Sequence, residues 1–179
     1  DRKIIWHPYT QMQHAALPVA IVKGEGANLF DEEDKRYIDA ISSWWVNTHG
    51  HSHPHIAGKV SEQANTLEHV IFAGFTHPKA VELAERLLLK LPKNQSRVFY
   101  SDNGSTSVEV ALKMAFQYWY NKGEKRNKVI ALEGAYHGDT FGAMSVSGNS
   151  AFNEPFEQFL FQVEHIPFSN YGLLNFLHD

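Results

Sequence analysis

Residues 98–119, VFYSDNGSTSVEVALKMAFQYW, change character twice within one short span. Val98, Phe99 and Tyr100 favour a strand. Residues 101–106 are small and polar and include one glycine. The rest, with Val108, Ala111, Leu112, Ala115 and Trp119 three to four residues apart, has the period of an amphipathic helix. A polar turn feeding a helix matters because the first helical N–H groups have no internal partner and sit at the positive end of the helix dipole. A phosphate can be held there without a lysine. Gly104 permits close backbone approach, Ser105 and Thr106 offer hydroxyl donors, and Thr106 with Glu109 fits a Ser/Thr-x-x-Glu capping box. The same residues also serve a plain capped helix. No Gly-Lys-Ser/Thr follows, so this is not a nucleoside-triphosphate loop, and Gly24-Glu25-Gly26 lacks the helix a dinucleotide fingerprint needs.

Around that stretch, strand and helix patterns alternate. Short strands are expected at 97–100, 129–132 and near 163–166. Helices are expected from Pro54 to about His69, after Thr76 as N-cap until Pro92, from the polar turn to about Tyr120, and through Met144. Residues 19–41 have the turn spacing of a small antiparallel meander, with Gly24-Glu25-Gly26 as its first turn. The fold class is therefore α/β, with a mostly parallel sheet preceded by a small β-rich segment. The aromatic and histidine-rich segment IDAISSWWVNTHGHSHPHI fits neither period, which leaves open a loop lining a site or aromatics packed in the core.

Composition narrows the functions open to such a fold. A net charge of −4 with scattered basic residues argues against a nucleic-acid surface. The absence of cysteine excludes disulfides and thiolate chemistry and fits a cytoplasmic location. No apolar run reaches the length of a membrane span. His49, His51, His53 and His55 alternate, but Gly50 and Pro54 interrupt any strand and no carboxylate lies among them. Loop or capping roles are favoured there over a metal. His137 and Asp139 are only a weak signal of acid–base chemistry.

Ala135-Tyr136-His137-Gly138-Asp139 follows the 129–132 strand, at the sheet's carboxyl end where α/β folds bind ligands. A flat ring bearing a phosphate would use both features, with Tyr136 stacking on the ring and the turn before the helix holding the phosphate. With those two features together, the sequence resembles the class III, fold type I, pyridoxal-phosphate aminotransferases. The resemblance lies in DNGSTSVEVALK at 102–113 and YHGDTFGAMS at 136–145. IWHPYTQM at 5–12 and ISSWW at 41–45 are similar to the biotin-pathway branch of that class.

The resemblance implies pyridoxal 5'-phosphate as cofactor, S-adenosylmethionine as amino donor and 8-amino-7-oxononanoate as acceptor, with a homodimer as the working unit. It implies that Gly104 and Ser105 hold the cofactor phosphate, that Tyr136 stacks on the ring and borders the substrate, and that Tyr9 and Trp44 contact substrate. It implies no catalytic residue in this chain, because the family's Schiff-base lysine lies in a later region and no lysine here has its context. Lys113 reads instead as a helical partner of Glu109. Asn103 replaces the family's usual serine, and Ala73 stands where its FGG loop has a glycine. Residues 1–52 are expected to belong to the small domain and 53–179 to the large cofactor domain, in a chain that reads as incomplete after GLLNFLHD. The alternatives are another class III enzyme of ornithine or diamine type, or an inactive scaffold without the lysine.

Overall fold

A computed structural model describes residues 1 and 3–168 of the chain, which divides into two compact units, Asp1–Val81 and Glu82–Asp179. In the first unit, β1 (Ile21–Glu25), β2 (Asn28–Asp31) and β3 (Arg36–Ile38) form an antiparallel sheet in that order. The expected meander is there, with its first turn shifted. Gly24 and Glu25 pair with Leu29 and Asn28, and the reversal falls at Gly26 and Ala27. The second turn is closed by Asp31, whose Oδ1 accepts the N–H groups of Glu33 and Lys35, both at 3.0 Å. That pattern explains why a Glu-Glu-Asp-Lys sequence reverses so sharply.

After β3 the aromatic segment forms a single turn, α1 (Ser42–Trp45), of an unexpected hand. Ser42, Ser43, Trp44 and Trp45 have φ of 50°, 47°, 68° and 67°, so four consecutive residues other than glycine are left-handed. Side-chain sterics make that conformation cost ~1–2 kcal/mol per residue. α2 spans Pro54–Ala64, with proline at the position where a missing N–H costs nothing, and ends a turn sooner than the sequence pattern indicates. α3 runs Pro78–Leu88. It begins after His77 rather than Thr76, and the His77 Nδ1 accepts the Ala80 N–H at 3.4 Å.

In the second unit, α4 (Gly104–Asn121) is followed by β4 (Ile130–Leu132), α5 (Phe141–Ser145), a 3-10 turn at Glu154–Phe159 and β5 (Glu164–Ile166). β4 and β5 run parallel, with Ile130, Ala131 and Leu132 opposite Glu164, His165 and Ile166. Residues 97–100 do not form the expected strand. Strand character depends on a ladder partner as well as on β-prone side chains, and among the described residues none pairs there. The buried apolar side chains among the described residues are Ala143 and Met144 in α5, Val146 just after it and Ile166 at the end of β5. α4 has no fully buried residue, so its N-terminal turn is held by hydrogen bonds more than by packing.

Candidate active site

The N-terminus of α4 differs in register from the expected capping box. Asn103 is the N-cap: its side chain accepts the Thr106 N–H at 2.9 Å, and its own N–H donates to Thr106 Oγ1 at 3.2 Å. The Thr106 hydroxyl in turn donates to Asp102. That hydroxyl is consumed by the cap and does not face a ligand. Satisfying the third N–H with Asn103 leaves those of Gly104 and Ser105, for which no acceptor exists among the described residues.

Glu109, released from capping, turns toward the loop before α5. Its Oε1 accepts the Thr140 hydroxyl at 2.5 Å and the Ala143 N–H at 3.0 Å. The Thr140 hydroxyl leads, with the N–H groups of Ala143 and Gly142 behind it. Together they hold the carboxyl below its ordinary range against the opposing effect of desolvation, and the charge of Lys113 adds the smallest pull. Thr140 also meets Ser105: the two hydroxyl oxygens lie 2.8 Å apart, and the Thr140 N–H donates to Ser105 Oγ at 3.0 Å. The Ser105 hydroxyl is thus engaged with Thr140, which corrects the expectation of a free hydroxyl donor.

A cleft of about 730 Å³ opens at this junction, lined in part by Asn103, Gly104, Ser105, Tyr136, Gly138 and Asp139. The three residues that the resemblance gave to the cofactor therefore lie around one cavity. Tyr136 is 72% exposed, and its hydroxyl donates to Asp139 Oδ2 at 3.0 Å. Only glycine fits at 138, where φ is 120° and a Cβ would stand 2.4 Å from Ser105 Oγ. His137 enters through its backbone, its N–H donating to Ser147 Oγ at 3.0 Å, and makes no acid–base pair with Asp139 among the described hydrogen bonds.

In the first unit, Tyr9 and Trp44 are brought together, their rings 5.4 Å apart and tilted by 50°. Tyr9 itself has a φ of 51°. Asp39 holds the left-handed turn beside them. Its Oδ2 accepts the Ser43 hydroxyl and His51 Nε2, each at 2.7 Å. Its pKa is lowered to about 2, first by the Ser43 backbone N–H, then by the Ser43 hydroxyl and His51. His51 is tied by its backbone to Gly26, giving and accepting one hydrogen bond. Among the described residues no group of three or more histidine or carboxylate side chains could share a metal. The links of Asp39 to His51 and of Glu109 to Thr140 span 12 and 31 positions, and nothing in the sequence signals them. At the FGG-like loop the positive φ falls on Gly74, at 89°, and not on Ala73.

Comparison with known proteins defines the class first. The aminotransferase class-III family matches residues 9–176, and the chain belongs to that family. The fold is the pyridoxal-phosphate-dependent aminotransferase fold anticipated from the sequence, a small antiparallel sheet followed by a parallel sheet with helices. Within the class, the chain is 55% identical over 164 residues to the adenosylmethionine-8-amino-7-oxononanoate aminotransferase of Synechococcus elongatus, covering 92% of this chain and 39% of that one. It is 45% identical to the enzyme of that name from Geobacter sulfurreducens, over 93% of this chain and 38% of the relative. The crystal structure of the Methanocaldococcus jannaschii enzyme of that name superposes with a TM-score of 0.87 at 40% identity, over 93% of this chain and 39% of that one. A PLP-bound amine transaminase from an uncultivated Pseudomonas species superposes with a TM-score of 0.80 at 31% identity, over 92% and 38%. The chain thus spans about two fifths of the length of the relatives it matches.

Proposed function

We propose that the protein carrying this chain is a pyridoxal-phosphate-dependent aminotransferase of biotin biosynthesis, moving an amino group from S-adenosylmethionine to 8-amino-7-oxononanoate to give 7,8-diaminononanoate. The observation that carries this reading is the cleft where two unpaired helix N–H groups and an exposed tyrosine ring converge. The residues fit the cofactor on their own chemistry: an 18-residue helix offers its dipole and two donors to a phosphate, and Gly138 keeps the wall beside it open. When bound, pyridoxal phosphate supplies the electron sink through which an amino group leaves one substrate and joins another.

This chain's own part is to bind and orient. Gly104 and Ser105 anchor the phosphate through backbone N–H groups, and Tyr136 covers the ring and borders the substrate. Tyr9 and Trp44 are assigned to substrate contact. No lysine of this chain is assigned to proton transfer. Residues 1–52 contribute to the small domain and 53–179 to the large one, in a cytoplasmic homodimer. The choice of donor and acceptor rests on the 55% identity to a relative so named.

The test is to supply the full-length protein carrying this chain with pyridoxal phosphate, 8-amino-7-oxononanoate and either S-adenosylmethionine or ornithine. Formation of 7,8-diaminononanoate with S-adenosylmethionine supports the assignment; turnover with ornithine alone refutes it. Tyr9→Phe is expected to slow the acceptor half-reaction more than the donor half-reaction.

A further inference from the structure

The hydrogen-bond chain behind the cleft has a direction, and Glu109 sets it. A carboxylate accepts but does not donate, so the Thr140 hydroxyl hydrogen must point at Glu109 Oε1. Thr140 Oγ1 can then meet Ser105 Oγ, 2.8 Å away, only as acceptor, which commits the Ser105 hydroxyl hydrogen to Thr140. Ser105 Oγ takes the Thr140 N–H at 3.0 Å on a lone pair. Both residues are closed on each other, and the donors left for an anion are the N–H groups of Gly104 and Ser105.

We propose that Glu109 is a positioning residue for the phosphate-binding turn: through Thr140 it fixes the orientation of Ser105 and so reserves backbone N–H groups for the phosphoryl oxygens. This rests on the cofactor reading above and adds to it which atoms do the binding and what holds them. The low pKa of Glu109 keeps the carboxylate ionised at neutral pH, which the direction of the chain requires. Steric fit supports the same placement. A Cβ on Gly142 would stand 2.4 Å from Glu109 Oε2, so the first turn of α5 lies directly against the carboxylate. The Ala143 N–H donates to the oxygen that also receives Thr140, so one carboxylate fastens the loop and α5 to α4.

The experiment compares the affinity of the full-length apoprotein for pyridoxal 5'-phosphate and for pyridoxal, which lacks the phosphate. Glu109→Ala and Thr140→Val are each expected to weaken pyridoxal phosphate about tenfold, the scale of one lost charge-assisted hydrogen bond, with pyridoxal unchanged. Thr140→Ser, which keeps the hydroxyl, should restore the wild-type ratio, and the double variant should be no worse than either single one. If Glu109→Ala does not fold, the Thr140→Val and Thr140→Ser pair decides alone. Equal weakening of both ligands, or losses that multiply in the double variant, would overturn the positioning role. A wild-type protein that binds both ligands equally would overturn the cofactor reading itself, and this role with it.

Discussion

The N-terminus of α4 and the left-handed turn α1 reach their shapes by opposite physical means. At α4 the backbone is relaxed: a regular helix with an asparagine cap leaves two N–H groups over as a consequence of its geometry. At α1 the backbone is strained, four residues in a row at φ between 47° and 68°, and it holds its shape because Asp39 grips Ser43 from outside the turn. The first arrangement offers main-chain atoms whose identity hardly depends on side chains. The second places a side chain, the Trp44 ring, beside Tyr9. An exposed helix N-terminus is therefore a cheap feature, and a left-handed turn of serine and tryptophan a costly one to sustain.

The contrast can be broken most forcefully at Gly138. Gly138→Ala places a methyl against Ser105 and forces a rare φ, so it should cost about 3 kcal/mol in denaturant unfolding. A loss under about 1 kcal/mol would mean that the wall of the cleft is looser than described. Asn103→Ala removes the cap and should cost about 1 kcal/mol by the same measurement, with Thr106→Ala similar because it is the other half of the box. Ser42→Gly sharpens the comparison from the other side. It relieves one left-handed residue with no side-chain hydrogen bond among those described, and should stabilise by about 0.5–1 kcal/mol. Destabilisation there would show that α1 carries no strain.

The smallest effect is confined to acid. The folded pKa of Asp39, about 2, lies below its ordinary 3.8. Its contribution is therefore complete above the unfolded value and is lost as pH falls from about 4 through about 2. Acid titration of thermal stability should show that loss in the wild type and less of it in Asp39→Asn.

What could be learned from the sequence follows the same division. That Gly104, Ser105 and Tyr136 line one cleft was legible because a polar turn before a periodic helix, and a tyrosine in the loop after a strand, are local patterns with direct physical consequences. The cap register was not legible: Thr106 satisfies both Ser/Thr-x-x-Glu with Glu109 and Asn-x-x-Thr with Asn103, and only the loop at 140–143, which claims Glu109, decides between them. The strand at 97–100 was misplaced because propensity does not supply a ladder partner. The handedness of ISSWW was invisible, since nothing in a run of serine and tryptophan announces positive φ. Asp39 supplies the grip from outside the turn.

The most direct measurement is the affinity for pyridoxal phosphate of two variants at one position. Gly104 is the first residue of α4, where proline is well accommodated, Asn103 before it is extended, and a Cβ there meets nothing within 4 Å. Gly104→Pro deletes one of the two N–H groups, and Gly104→Ala keeps it. If these N–H groups hold the phosphate, Gly104→Pro will bind pyridoxal phosphate about tenfold more weakly than Gly104→Ala, with equal thermal stability and equal affinity for pyridoxal. Equal affinity of the two variants for pyridoxal phosphate would contradict the account.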